Sequence, residues 1–145
     1  YTSTGLATLR RDGFVSMQAG KEAGYLTTEK ITFDGKYLFV NADVKAKKAQ
    51  LAVEVLDAEG NAIPGYTRKE CIALKKTDSV KQIIIWKNKK DLSELIGKAV
   101  RFKFYLTDGD LYAFWVSPWA SGESRGYTAG GGPGLSVDGI DKPLK

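Results

Sequence analysis

Hydrophobic and polar residues alternate strongly over residues 99–116, where two such runs flank the polar sequence Thr107-Asp108-Gly109-Asp110. A period of two is typical of half-buried β-strands, and Asp-Gly between two such runs favours a two-residue type I′ turn. The pattern therefore predicts a β-hairpin over residues 99–116. In that register the core face comprises Phe102, Phe104, Leu106, Leu111, Ala113 and Trp115.

The opposite face of this predicted hairpin mixes aromatic rings with cations. It comprises Arg101, Lys103, Tyr105, Tyr112 and Phe114. Such a face is typical of a sheet that has something lying against it: a sugar chain, a neighbouring domain or the chain's own tail. We therefore expect a binding or docking surface here.

A second hairpin is predicted where Asp34-Gly35 separates a candidate strand over residues 25–33 from an alternating run over residues 37–44. Its register pairs Ile31 with Leu38 on the core side and places Tyr37 and Phe39 on the non-core face. Further strands are predicted at residues 6–10, 14–19, 50–56 and 81–86. Short strands with turns between them and almost no helix predict an all-β fold, an antiparallel β-sandwich of jelly-roll type.

The character of the chain changes at about Ser117, after which Gly and Ser dominate. Trp119 and Tyr127 remain in this part, although a purely flexible linker would not need them. We expect a β-sandwich module over residues 1–116 and a Gly-rich extension over residues 117–145 that packs on the module and frays at its end. We do not expect residues 130–134 to form a phosphate loop, because no Lys-Ser/Thr follows them.

The net charge of the chain and the placement of its lysines indicate which kinds of partner it can bind. The chain has 145 residues, of which 22 are basic and 17 acidic, for a net charge of +5. Its lysine clusters at predicted strand ends have two interpretations: solubilising charge that protects sheet edges, or attraction to a polyanion. No nucleic-acid partner is expected without a helix-turn-helix, zinc-finger or ribonucleoprotein motif, and no membrane partner without a 20-residue apolar run. An acidic or sulfated polysaccharide fits the charge.

Catalytic chemistry is restricted by the residue types present. The chain contains no histidine and one cysteine, Cys71. These counts exclude Ser-His-Asp and Cys-His catalysis, histidine-ligated metals and an internal disulfide. Cys71 lies in a strand-like sequence and is interpreted as a small buried apolar residue. We expect no enzyme, although a lyase that uses Tyr with Lys or Arg would need no histidine.

No cofactor is expected. A structural calcium ion could use Asp12, Asp43 or Asp138 with backbone carbonyls, but their spacing does not match an EF-hand loop.

Four parts of the chain carry a family resemblance: residues 9–16, residues 53–66, Trp86 followed by residues 91–98, and residues 100–114. Together they resemble the β-sandwich module that ends large secreted bacterial proteins, many of them predicted glycoside hydrolases of the five-bladed-propeller, family-32-like kind. The resemblance covers residues 5–116, and the tail is similar to an extension that some members carry. It implies an accessory domain of a polysaccharide-degrading enzyme, secreted or periplasmic. It supplies no ligand residues.

Besides such a lyase, two functions remain open. The first is a non-catalytic carbohydrate-binding module that holds an anionic or sulfated polysaccharide for a linked catalytic domain, since sugar rings stack on exposed aromatics and Arg or Lys pair with anionic groups. Its candidate ligand-binding residues are Tyr37, Arg101, Lys103, Tyr105, Tyr112, Trp119 and Arg125. The alternative is a structural accessory domain that packs its aromatic face on the catalytic domain and has no ligand of its own.

Overall fold

The computed structural model describes residues 2–125 and 140–141, and these residues form a sandwich of two antiparallel sheets. A 3₁₀ turn, Ser93–Leu95, lies between the fifth and sixth strands. The strands are β1 (Met17–Ala19), β2 (Gly24–Thr27), β3 (Tyr37–Val44), β4 (Gln50–Leu56), β5 (Thr77–Ile83), β6 (Arg101–Thr107) and β7 (Gly109–Ser117).

Successive strands alternate between the two sheets. The four-stranded sheet has the order β1-β7-β3-β5, and the three-stranded sheet has the order β2-β6-β4. Each connection between described strands therefore crosses from one sheet to the other, as expected for a chain wound in the jelly-roll manner. The predicted antiparallel β-sandwich is confirmed.

The connection between β4 and β5 runs along the outer edge of β4 instead of forming a further long strand. The Val55 N–H donates to the Tyr66 carbonyl at 3.0 Å, and Leu51 and Leu74 exchange backbone hydrogen bonds of 3.0 and 2.8 Å. The connection covers the edge of β4 with backbone partners. It also holds the intervening residues beside the outer face of the three-stranded sheet.

The core lies between the two sheets and is built from the inward residues of alternating strands. The predicted inward residues of β3 and β6 are buried, among them Val40, Phe102 and Phe104, each at most 1% exposed. Cys71 is also buried, and its sulfur accepts a hydrogen bond from the Val53 N–H at 3.3 Å. This agrees with its interpretation as a core residue.

The predicted hairpin over residues 99–116 is wrong, because β6 and β7 belong to different sheets. β6 pairs with β2 and β4, whereas β7 pairs with β1 and β3. Asp108, with φ 50°, turns the chain across the sandwich, and a Cβ on Gly109 would lie only 2.5 Å from the Asp43 carbonyl oxygen. A sharp Asp-Gly turn can connect strands of two different sheets as well as the two strands of a hairpin. Pairing β6 with β2 and β4, and β7 with β1 and β3, buries the apolar faces of both strands.

A β-bulge reverses the predicted faces in the second half of β7. Asn41 pairs with Ala113 but Ala42 pairs with Leu111, so Tyr112 is an extra residue on β7. Beyond the bulge Phe114 points inward, with its ring centroid 5.0 Å from that of Phe104. Ala113 and Trp115, predicted to face the core, share the outer face with their partners on β3.

The second predicted hairpin is also wrong, since β2 and β3 lie in different sheets. Ile31 forms a bridge with Val100 and not with Leu38. Strands β3 and β4 have the predicted bounds, but residues 6–10 form no strand, β1 is shorter than predicted, and β5 begins and ends earlier than predicted.

Truncating Phe104 to Ala should lower the free energy of unfolding by about 3–5 kcal/mol, because its fully buried ring packs across both sheets. Urea unfolding measures the change. The matched control is Phe14→Ala, where the ring is 80% exposed and the loss should stay below about 0.5 kcal/mol. Equal effects of the two substitutions would contradict the inward placement of Phe104.

Candidate ligand-binding site

The seven residues predicted to bind ligand do not share one face of the sandwich. Arg101, Lys103 and Tyr105 follow one another at every second position of β6, on the outer face of the three-stranded sheet. Tyr37 belongs to β3 and Tyr112 to β7, both in the four-stranded sheet. Trp119 and Arg125 follow β7. The prediction that Tyr112 shares a face with Tyr105 is wrong, because it depended on the hairpin register.

The outer face of the three-stranded sheet carries a group of residues that we call the cation–aromatic cluster, made of Tyr25, Glu54, Arg68, Lys103 and Tyr105. Tyr25 and Tyr105 are paired on β2 and β6, and their ring centroids lie 6.3 Å apart. Two residues before Tyr105 on β6, Lys103 also points outward and is paired with Glu54 of β4. Arg68 reaches the cluster from the connection between β4 and β5.

Both cations of the cluster lie against aromatic rings. The Lys103 Nζ is 4.4 Å from the Tyr25 ring centroid and 5.2 Å from that of Tyr105. The Arg68 guanidinium lies 4.2 Å over the Tyr105 ring. Each such contact contributes about 0.5–1 kcal/mol at an exposed site. The rings therefore position the cations, and Tyr25, which is 70% exposed, is the ring left open to solvent.

Glu54 fixes the position of Tyr105 and of the loop that carries Arg68. One carboxylate oxygen accepts a hydrogen bond from the Tyr105 hydroxyl at 2.9 Å, and the other accepts one from the Arg68 backbone N–H at 3.1 Å. The Arg68 and Lys103 side chains form no salt bridge within residues 2–125 and 140–141. The cluster thus carries two cations and one carboxylate.

Arg101 extends the positive charge along β6 but is more constrained. Its guanidinium donates to the Thr28 carbonyl at 2.9 Å and lies 3.5 Å from the Glu29 carboxylate. Glu29 is 96% exposed, so this ion pair is open to solvent. Arg101 therefore offers a cation at the end of the row, with one of its partners able to move away.

Sequence reasoning missed Tyr25, Glu54 and Arg68 as members of the site. Tyr25 belonged to a predicted strand, but its pairing with β6 depends on contacts distant in sequence. Arg68 lies in a connection without regular alternation. A pattern of local periodicity contains no signal for either pairing.

The outer face of the four-stranded sheet is covered by the segment after β7. Phe39 is 4% exposed and stacks on Trp115, with ring centroids 5.7 Å apart. Gly122 lies so close that a Cβ there would be 2.6 Å from the Phe39 ring. The Trp115 indole N–H donates to the Gly122 carbonyl at 3.0 Å. These rings therefore pack within the molecule.

The N-terminal segment covers another part of that face. The Arg10 guanidinium lies 4.6 Å over the Tyr112 ring, donates to Asn41 at 2.6 Å and forms an ion pair with Asp78. Tyr112 is therefore held by an internal contact whose cation is neutralised. Tyr37 is partly buried on the same sheet.

Trp119 and Arg125 form a small exposed pair. The Arg125 guanidinium lies 4.5 Å over the Trp119 ring, and Trp119 is 40% exposed. Tyr127 and Asp138 lie outside the described residues, as do residues 130–134 and 142–145.

Asp141 ties three parts of the chain together. It is 3% exposed and accepts hydrogen bonds from the Ser124 N–H at 2.7 Å and the Lys81 ammonium at 3.1 Å, with the Arg11 guanidinium 3.2 Å away. Burial alone would raise the pKa of the Asp141 carboxyl. The hydrogen bonds and the two cations outweigh burial and hold that pKa below its ordinary value of 3.8.

Two of the three carboxylates considered for calcium have other partners. Asp12 lies 3.6 Å from the Arg11 guanidinium, and Asp43 lies 2.7 Å from the Lys45 ammonium. Within the described part of the chain, no three His, Cys, Asp or Glu side chains gather as a metal site would require. Among the same residues, no helix has the length and hydrophobicity needed to cross a membrane.

Comparisons of the chain with protein-family models, curated proteins and solved structures find no match.

Asp141→Asn should lower stability at neutral pH, by on the order of 1–3 kcal/mol, since it removes the charge from a buried ion pair. Because the folded pKa is depressed, the stabilisation is complete above the unfolded value near 3.8 and is lost as the pH falls through the folded value. Urea midpoints at about pH 7 and about pH 3 should thus differ less for the variant than for the unmutated chain.

The control for this measurement is Glu59→Gln, which changes an exposed carboxylate that forms no ion pair among the described residues. It should leave the pH dependence of the unfolding midpoint unchanged. A stability deficit of Asp141→Asn that persists undiminished in acid would contradict the electrostatic role of this carboxylate.

Proposed function

We propose that this protein is a non-catalytic carbohydrate-binding module that holds an anionic polysaccharide on the cation–aromatic cluster of the three-stranded sheet. The observation that carries the proposal is that Arg68 and Lys103 are held against tyrosine rings at the surface with no salt bridge among the described residues. A sulfate or carboxylate on the ligand would supply the missing counter-charge.

The shape of the surface supports an extended ligand. Tyr105, Lys103 and Arg101 lie at every second residue of β6, so the row of outward side chains extends over roughly 13 Å. An open row on a sheet face suits a chain that lies along it better than a small molecule that needs enclosure. The exposed ring of Tyr25 beside this row can stack against the C–H face of a sugar.

The non-catalytic part of the proposal rests on the same geometry. The cluster lies on an open sheet face and offers Tyr, Lys and Arg, with Glu54 already committed to two hydrogen bonds. Acid–base catalysis needs titratable groups enclosed together at a reacting atom. The resemblance of residues 5–116 to accessory modules of secreted glycoside hydrolases supports a role beside a linked catalytic domain, outside the cell or in the periplasm.

One observation favours the structural alternative. Among the residues that the structure describes, six of the eleven exposed large hydrophobic residues lie within residues 6–25, including Leu6 at 93%, Phe14 at 80% and Val15 at 75%. Such a concentration is typical of a surface that packs on another domain. The second candidate function is therefore an accessory domain that docks through this segment on a linked catalytic domain.

Lys103→Ala and Arg68→Ala should each weaken the binding of an acidic polysaccharide about tenfold, which corresponds to about 1.4 kcal/mol for a lost charge-assisted contact. Affinity electrophoresis in gels containing alginate or dextran sulfate measures retention. Both variants should unfold within about 0.5 kcal/mol of the unmutated chain, because their charged groups are not part of the core. Lys90→Ala, which removes an exposed lysine outside the cation–aromatic cluster, is the control and should not change retention.

Failure of the unmutated chain to be retained by any acidic polysaccharide would overturn the proposal and favour the structural alternative. Tyr105→Ala adds a second criterion, since its ring is partly buried between Arg68 and Lys103. Lost retention with little loss of stability supports binding. A loss of a few kcal/mol without any retained ligand favours packing.

Retention should also fall steeply as salt is added. Raising the ionic strength from about 0.01 M to about 1 M shortens the screening length from about 30 Å to about 3 Å, which weakens attraction between exposed charges. The measurement is retention on alginate and dextran sulfate over this range, with neutral dextran as the control. Retention that is indifferent to salt would contradict an anionic ligand and would point to a neutral glycan.

A further inference from the structure

A cleft opens between the two sheets beside the cation–aromatic cluster. Its volume is about 100 Å³, and its walls come from β1 and β2. Its floor consists of core residues of β6 and β7, namely Phe104, Leu106 and Leu111. Tyr25 lines this cleft and also belongs to the cation–aromatic cluster, so the two are adjacent.

The size of the cleft restricts what can enter. A cavity of about 150 Å³ can enclose a benzene ring, so this cleft is too small to enclose a sugar ring or an aromatic side chain fully. A group of three or four non-hydrogen atoms would fit. The floor is apolar, so the innermost part of that group must be apolar as well.

The mouth of the cleft is polar. β1 is paired only with β7 and β2 only with β6, so among the described strands each leaves one edge of backbone N–H and C=O groups without a strand partner. Gln18 adds an exposed amide to the lining. A hydrogen-bond acceptor just outside the apolar part of the occupant would therefore find donors at the mouth.

We propose that this cleft binds an acetyl substituent of the same anionic polysaccharide, with the methyl group on the apolar floor and the carbonyl oxygen at the polar mouth. The inference rests on the proposed function and narrows the ligand to an acetylated acidic polysaccharide. An acetyl group is small enough for the cleft. Its apolar methyl group suits the apolar floor, and its carbonyl oxygen is an acceptor for the donors at the mouth.

Met17 gives a direct test, since it is the only methionine of the chain and lines the cleft. The chain, freed of any initiator methionine, is labelled with ¹³C at the methionine methyl group. It is then titrated with O-acetylated oligosaccharides of alginate and of pectin, and with the same oligosaccharides after mild alkaline deacetylation. The expected result is a shift of the Met17 methyl resonance with an acetylated ligand, and affinity at least about tenfold tighter than for its deacetylated form.

Equal affinity for both forms, or binding that leaves the Met17 resonance unmoved, would overturn the acetyl site and leave the proposed function standing. If dextran sulfate retains the chain but none of these oligosaccharides binds, the acetyl site is likewise overturned and the proposed function stands. If no acidic polysaccharide binds at all, the proposed function fails and the inference fails with it.

Gly24→Val supplies a variant that narrows the cleft. A Cβ at Gly24 would lie 3.9 Å from the Ala19 Cβ on the facing strand, an ordinary contact, so the larger side chain points across the cleft without straining the backbone. It should abolish the preference for acetylated ligands while deacetylated ligands bind as before. Gly5→Val, at a position where an added Cβ meets nothing within 4 Å, is the matched control and should keep the preference.

Discussion

The candidate binding surface depends on the burial of the opposite face of the same strand. Phe102, Phe104 and Leu106 point into the core from β6, so Arg101, Lys103 and Tyr105 must point outward. A slip of one residue in the pairing of β6 would bury a lysine and expose the phenylalanines, at a cost of several kcal/mol. The hydrophobic core thus fixes which cations reach the surface and in which row they lie.

Local alternation predicted the strands but not their partners. The bounds of β3 and β4 and the faces of β6 follow from a period of two, which each strand carries within itself. The Asp108-Gly109 turn is compatible with both a hairpin and a crossing between sheets, and only the total burial of both apolar faces decides between them. The bulge at Tyr112 likewise belongs to the pairing of β7 with β3, and it has no local sequence signature.

The candidate site was predictable to the extent that it lies on one strand. Arg101, Lys103 and Tyr105 stay together because they share β6, whereas Tyr112 was separated from them once the hairpin register failed. Tyr25 and Arg68 join the cluster through pairing between distant parts of the chain. Local periodicity cannot predict such pairings, since they depend on which sheet each strand joins.

A cation–aromatic contact that only packs within the protein differs from one suited to binding in whether its cation also has an ion-pair partner. On the four-stranded sheet Arg10 lies over Tyr112, but its guanidinium also forms an ion pair with Asp78, and the contact holds the N-terminal segment in place. On the three-stranded sheet Arg68 and Lys103 lie against Tyr105 with no such partner among the described residues. The same residue types therefore have different consequences, because a surface cation that forms no salt bridge can gain from an anionic ligand what Arg10 already gains from Asp78.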